Sequence, residues 1–141
     1  MPSFEYKNED VELEIKKTGL ALFVQDTIRV KDLNAEQNEG PGFYTGEWAS
    51  NIEPEKSNVP ASRTEMRHGR GKYIWPDGEV YEGYWLYDRM HGYGRKIYDD
   101  GTVYTGAWLN NLHNGMGRIT LSNGDTYEGQ FVDGEYDGEG T

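Results

Sequence analysis

Cysteine is missing from the chain, which removes disulfides, thiolate nucleophiles and zinc–thiolate sites together. That suits a reducing compartment without requiring one. Long apolar runs are missing as well: no stretch approaches the roughly 18 residues that span a bilayer. Basic residues are scarce, 14 against 25 acidic ones, for a net charge of -11. The imbalance is spread out, with 5 basic and 9 acidic side chains in residues 1–40 and 7 and 12 in residues 66–141. Nucleic acids and anionic lipid surfaces are bound chiefly through Lys and Arg, so this balance argues against nucleic acid and disfavours membrane contact without closing it off. Aliphatic residues are sparse too. With 35% hydrophobic residues and 19 glycines, 141 residues fit one domain but cannot fill a thick aliphatic core. The opening segment holds Glu5, Glu9, Asp10, Glu12 and Glu14 with no Arg before Arg29. It reads as neither a signal nor a transit peptide, and a soluble cytoplasmic chain is the expectation.

What the chain does have is aromatic rings on a period. Eleven Tyr, four Trp and four Phe predict a thin structure held by flat rings, each ring pair adding about 0.5–1.5 kcal/mol beyond its area burial. Tyr81, Tyr104 and Tyr127 are evenly spaced at an odd interval, each opening the frame Tyr-x-Gly-x-(Trp/Phe), then Gly-x-Gly, then Asp-Gly or Asn-Gly. One copy reads Tyr81, Gly83, Trp85, Gly92, Gly94, Asp100, Gly101, and the next reads Tyr104, Gly106, Trp108, Gly115, Gly117, Asn123, Gly124. An earlier copy opens at Tyr44, Gly46 and Trp48, but its Gly69, Gly71, Asp77 and Gly78 arrive 14 residues late, so a segment is inserted after Trp48. The last copy, Tyr127, Gly129, Phe131, Gly138, Gly140, stops at Thr141 in mid-hairpin.

Within Tyr81–Trp85 the alternation of Tyr, Gly and Trp puts these three on one face of a strand. Two-residue turns are predicted at Tyr87-Asp88, Asn110-Asn111 and Asp133-Gly134. Three-residue loops closing on left-handed Gly are predicted at Pro76-Asp77-Gly78, Asp99-Asp100-Gly101 and Ser122-Asn123-Gly124. A period of odd length returns side chains to the same face only if one connection is even and the other odd, and two plus three satisfies it. The predicted fold is all-β: an elongated single-layer antiparallel meander of stacked β-hairpins, advancing about 9.6 Å per repeat. Tyr81, Trp85, Tyr104, Trp108, Tyr127 and Phe131 form a ring ladder on one face, with Gly83, Gly92, Gly94, Gly106, Gly115 and Gly117 beside them leaving room. The other face carries Lys72, Arg95 and Arg118 in register with Glu82 and Glu128, which reads as a charge-paired surface rather than an anion site.

Tyr-Glu-Gly-x-(Trp/Phe), His-Gly-x-Gly and Asp-Gly at this spacing resemble the MORN repeat (membrane occupation and recognition nexus) from Tyr44 to Thr141. The departures are the insertion, Asn114 where His68 and His91 lead one to expect His, and Asp88 and Asn111 where that family favours Gly. The resemblance implies a row of β-hairpins in a twisted, grooved sheet. Repeats of this kind occur in ciliary radial-spoke proteins, parasite cytoskeletal scaffolds, junctions between membranes, and as accessory modules on lipid kinases and a lysine methyltransferase. It therefore implies a scaffold or docking surface and leaves the partner open.

Two regions are predicted: residues 1–40, an N-terminal β cap or an extension gripping another subunit, and residues 41–141, the repeat sheet, with hairpins starting near 44, 81, 104 and 127 and an inserted loop at 49–65. In the first, Val11–Ile15 and Leu20–Val24 alternate as a hairpin would, turning at Lys17-Thr18-Gly19. Residues Asn34 to Gly42 read as a polar linker. The insertion, with Pro54 and Pro60, reads as a long loop serving either a partner contact or plain mobility.

No metal and no cofactor are expected: His68 and His91 lie about 10 Å apart across the sheet, His113 is out of their register, and neither a phosphate loop, a calcium loop nor a nucleophile with its base is visible. The expectation is a non-enzymatic docking subunit of a larger cytoplasmic assembly, cytoskeletal or axonemal such as a ciliary radial spoke. Trp48, Trp85, Tyr104, Trp108, Tyr127 and Phe131 would hold a protein partner's segment along an aromatic groove. The alternatives are a phosphoinositide or membrane-tethering module using Lys72, Arg95 and Arg118, the accessory module of a longer enzyme, and a homodimer joined at the open last edge.

Overall fold

The computed structural model describes residues 4–30, 42–50 and 65–137. A nine-stranded antiparallel sheet runs through them in chain order. Its strands are β1 (Leu22–Val30), β2 (Gly42–Ala49), β3 (Met66–Ile74), β4 (Val80–Leu86), β5 (Arg89–Ile97), β6 (Val103–Leu109), β7 (Leu112–Thr120), β8 (Thr126–Val132) and β9 (Glu135–Asp137). The predicted meander is what the chain builds.

Turn chemistry fixes that order. Tyr87 and Asp88 (φ 49° and 68°), Asn110 and Asn111 (49° and 72°) and Asp133 and Gly134 (48° and 91°) all have positive φ at both central positions, the type I′ geometry whose twist matches a hairpin. At the opposite ends of the strands Gly78, Gly101 and Gly124 take φ near +94° and return their N–H to the carbonyls of Trp75, Tyr98 and Leu121. Asp77, Asp100 and Asn123 accept from the backbone N–H two residues on, each at 2.9 Å. That is why an Asp or Asn precedes each of these glycines.

Glycine in mid-strand makes room for tyrosine. A Cβ at Gly94 would lie 2.5 Å from ring atoms of Tyr81, and one at Gly117 would lie 2.6 Å from ring atoms of Tyr104. Gly92 and Gly115, expected on the same face, point the other way. Between Gly83↔Gly94 and Trp85↔Met90 the register slips by two residues, and it slips again between Gly106↔Gly117 and Trp108↔His113. This bulge carries His91, Gly92 and Tyr93 together to the reverse face, where a Cβ on Gly92 would strike the side chain of Val11.

The N-terminal hairpin is not formed. Val11–Ile15 belongs to a helix, α1 (Glu9–Lys17), and Leu22–Val30 pairs with β2 as the first strand of the sheet. Val11 and Ile15 suit a strand's alternation, but they are also four apart, one helical turn. Capping decides between the two: Asn8 accepts from the Val11 N–H at 3.1 Å, acids fill the first turn and lysines the last. Leu13, which the strand reading would have placed with them, is exposed.

Ala49, expected in the inserted loop, is the last residue of β2 and pairs with Met66. Residues 50–65 therefore stand where later hairpins have a two-residue turn, which accounts for the late arrival of Gly69 and Gly71. Residues 51–64, the linker as far as residue 41, and residues 138–141 of the last hairpin lie outside the described residues. Gly42, expected in that linker, opens β2.

Candidate functional site

The six rings expected to meet a partner are brought together on one face, but the chain uses them itself. Trp48, Trp85, Tyr104, Trp108 and Phe131 are each at most 3% exposed, and only Tyr127 is half-buried. They form an edge-to-face zigzag: Tyr44 touches Trp48 and Trp85, Tyr81 touches Trp85 and Trp108, and Tyr104 touches Trp108 and Phe131, with centroids 4.9–5.5 Å apart. Each tyrosine hydroxyl donates to the carbonyl three residues on, Tyr81 to Tyr84 and Tyr104 to Ala107 at 2.8 and 2.7 Å. Trp85 and Trp108 donate Nε1–H to the Gly71 and Gly94 carbonyls at 3.2 and 3.0 Å. With the tyrosine hydroxyls and the Nε1–H of Trp85 and Trp108 bonded and the faces covered, these side chains form a core rather than an open groove, and of the six only Tyr127 keeps part of its ring exposed. Burial pushes the Tyr81 hydroxyl well above its ordinary pKa, so it stays a neutral donor.

A second column on this face went unread in the sequence. Arg67, Met90, His113 and Tyr136 also recur at the repeat interval, each opposite the Trp or Phe of the neighbouring strand. The Arg67 guanidinium lies 4.3 Å from the Trp85 ring centroid and is buried against Asp88, with Nε to Oδ1 at 3.0 Å and Nη2 to Oδ2 at 2.9 Å. Asp88 also accepts the Arg67 backbone N–H, as Asn111 accepts that of Met90. These bonds explain the two turn residues that depart from glycine. His113 stacks on Tyr104 at 3.7 Å and meets the Tyr98 hydroxyl at 2.7 Å. Burial, with Lys96 adding to it, lowers its pKa to about 4. Its place is in this column, not that of His68 and His91.

On the reverse face Lys72, Glu82, Arg95, Thr105, Arg118 and Glu128 are successive cross-strand neighbours, with Arg95 3.5 Å from Glu82. Each of the three cations has an acid as a direct cross-strand neighbour, Lys72 and Arg95 sharing Glu82 and Arg118 facing Glu128, which makes the row charge-paired.

The same face holds α1, seated on the bulges. The buried His68 accepts the Tyr87 N–H on Nδ1 at 3.0 Å, so its proton sits on Nε2 and is donated to Thr18 Oγ1 at 3.1 Å. Thr18 in turn donates to the Ile15 carbonyl at 2.7 Å. Burial lowers the His68 pKa to about 4, keeping this tautomer neutral. His91 meets Glu14 at 2.8 Å, and Glu12 receives both Arg70 Nη2 (2.6 Å) and the Tyr84 hydroxyl (2.8 Å). Burial works against the Glu12 charge, but these bonds hold its carboxyl below the ordinary value. Ahead of the helix, Tyr6 donates to the Gly71 carbonyl and Phe4 stacks on Tyr93 at 5.5 Å.

A cleft of about 590 Å³ opens between α1 and the first strands, lined by Glu12, Leu13, Ile15, Leu22, Glu47 and Arg70 among others. Arg70 ties down two of the cleft's acids, bonding Glu12 through the guanidinium and Glu47 through the backbone N–H. Thr18 and His68 form a hydroxyl–imidazole pair, yet the imidazole donates to the hydroxyl and the hydroxyl is committed to a helix carbonyl, the reverse of a base activating a nucleophile. Carboxylates of Asp77, Glu79 and Asp99 lie within 4.8 Å of one another. Turn hydrogen bonds account for them: Asp77 accepts the Glu79 N–H, and Glu79 accepts the Asp99 N–H at 3.2 Å.

A sheet of hairpins sharing one ring frame, each covering the next, defines a β-hairpin repeat protein. The family model for the MORN repeat matches residues 66–80, 81–103, 104–126 and 127–141, more than half of the chain. The chain belongs to the MORN-repeat family. The match begins at β3, but β2 carries the same device, Tyr44 donating to the Glu47 carbonyl at 2.8 Å. A comparison with curated proteins gives no match. Membership marks a repeat protein of the protein-interaction or membrane-associated kind, its repeat a non-enzymatic module. Among the described residues no helix is long and apolar enough to cross a membrane.

Proposed function

We propose that this chain is a non-catalytic docking subunit of a larger cytoplasmic assembly, holding a protein partner against its sheet. The observation that carries this reading is how the apolar surface is divided. The rings are consumed in a self-covering core, while Leu109, Leu112, Met116 and Val132 stay between 41% and 58% exposed on a chain of net charge -11. Exposed apolar side chains gathered on an otherwise charged surface mark interaction sites. The acids paired with Lys72, Arg95 and Arg118, Glu82 and Glu128, speak against phosphoinositide as the main ligand. The assembly proposed is cytoskeletal or axonemal, such as a ciliary radial spoke, which rests on where repeats of this kind occur.

The test is native purification of the tagged full chain, with the mass of the complex and its salt-resistant fraction measured. Recovery in a stoichiometric protein complex that stays with the detergent-insoluble cytoskeleton is expected. Recovery as a free 16.1 kDa chain that sediments with phosphoinositide liposomes at low salt would replace this reading with the membrane one, and a complex of two copies would replace it with self-association.

A further inference from the structure

The bulges of the sheet are helix-docking positions, and one of them stands open. Each bulge puts three consecutive residues on the reverse face with a central glycine at positive φ: Gly69 at 104°, Gly92 at 80° and Gly115 at 103°. On the first two, α1 is seated. Thr18 bonds His68, Glu12 bonds Arg70, Glu14 bonds His91, and Val11 fills the space that a side chain on Gly92 would need. The third triplet, Asn114, Gly115 and Met116, carries no such helix among the described residues, and Met116 is 58% exposed. Leu109 and Leu112 pair across the adjoining hairpin end. Leu109 stands one repeat on from Leu86, which packs under α1, and Val132 stands one repeat on from Leu109.

We propose that this third bulge, with Leu109, Leu112 and Val132 around it, docks an amphipathic helix of a protein partner with an excess of Lys and Arg. Continuity with the α1 footprint selects a helix, since the same backbone geometry already accepts one two strands away. An apolar side chain of the incoming helix sits over Gly115, as Val11 sits over Gly92, and its neighbours one turn away contact Met116 and Leu109. Charge selects the sign. With Val11 and Glu14 over β5 and Thr18 over β3, the N-terminal end of α1 points along the sheet toward β7, presenting exposed Glu9 and Asp10, and exposed Asp133 and Glu135 close the far side. Arg118 lies opposite Glu128 in that area. An acidic rim around an apolar floor favours a basic partner and disfavours a second copy of this acidic chain.

This rests on the docking reading, and the experiment separates the two. The photoreactive residue p-benzoylphenylalanine is placed at position 116, or at position 24 on the edge strand β1 as a comparison, in the full chain within cells of its source. Crosslinked peptides are then sequenced. The expected result is an adduct from position 116, and not from 24, to one protein segment with helical apolar spacing and a Lys/Arg excess. Leu109→Glu should lower its yield at least tenfold while thermal unfolding is unchanged. A partner adduct from position 24 alone overturns this site and leaves the docking reading standing. Adducts at 116 to lipid, to a second copy or to an acidic segment overturn the partner assignment, as does a yield indifferent to Leu109→Glu. No partner adduct from either position overturns both.

Discussion

A glycine and its neighbour in β6 show how little of this surface is interchangeable. A Cβ on Gly106 would lie 2.6 Å from the Met116 carbonyl and 2.9 Å from the Tyr104 hydroxyl. Thr105, beside it, faces the opposite side between Arg95 and Arg118. Gly106→Val is therefore expected to cost about 3 kcal/mol and Thr105→Val no more than about 0.5 kcal/mol, read by urea unfolding; equal losses would refute the role assigned to the close approach. Histidine gives a pH dependence whose sign follows from burial. With folded pKa values of about 4 for His68 and His113 against about 6.5 unfolded, the unfolded chain takes up protons first as pH falls. Their contribution is full above pH 6.5 and is lost between there and pH 4, at up to about 1.4 kcal/mol per pH unit for each. His113→Phe keeps a ring against Tyr104 and removes one titrating group, so its urea midpoint should fall less steeply than wild type between pH 7 and 5. An unchanged slope would mean that His113 is not held neutral.

At the scale of elements, the strands and turns were legible because glycine and Asn/Asp positions state backbone geometry directly, and a strict period repeats the statement. Helix α1 was not, because Val11 and Ile15 satisfy two periodicities and only Asn8, with charges graded along the segment, arbitrates. The bulge was missed for a related reason: alternation assumes one residue per step, and His91-Gly92-Tyr93 puts three on one face. The column of Arg67, Met90, His113 and Tyr136 escaped notice because one structural position is filled by four unlike chemistries. Of the candidate site, the ring frame could be read, but not the burial of five of its six rings, which depends on each hairpin covering the next. Since a helix as short as α1 is not stable by itself in water, it exists by virtue of its cap and its seat. Asn8→Ala should cost about 1 kcal/mol and speed hydrogen exchange of the α1 amides while leaving β6–β8 unaffected. Acceleration spread evenly over the sheet would show that the helix and the repeats are a single cooperative unit.

The whole molecule is a one-dimensional array: the sheet order equals the chain order, and each hairpin meets chiefly its neighbours, so stability is a sum of local terms joined by interfaces. The two halves are secured differently. The β3–β5 region has α1 across its reverse face and the Arg67–Asp88 pair buried beside Trp85, whereas β7–β9 depend on ring contacts running from Trp108 through Tyr104 and Phe131 to Tyr127 and Tyr136. Trp108 is the link between them. It lies 5.2 Å from both Tyr81 and Tyr104 and 4.7 Å from His113, and bonds the Gly94 carbonyl. Trp108→Ser removes all four contacts, a loss of about 3–5 kcal/mol, comparable to the total stability of a small domain. It should fall on one side: amides of β7–β9 exchange within minutes while those of β3–β5 stay protected, and the urea transition splits into two. A single transition with uniform loss would show that the ring zigzag does not carry cooperativity from hairpin to hairpin, and that the sheet stands or falls as one body.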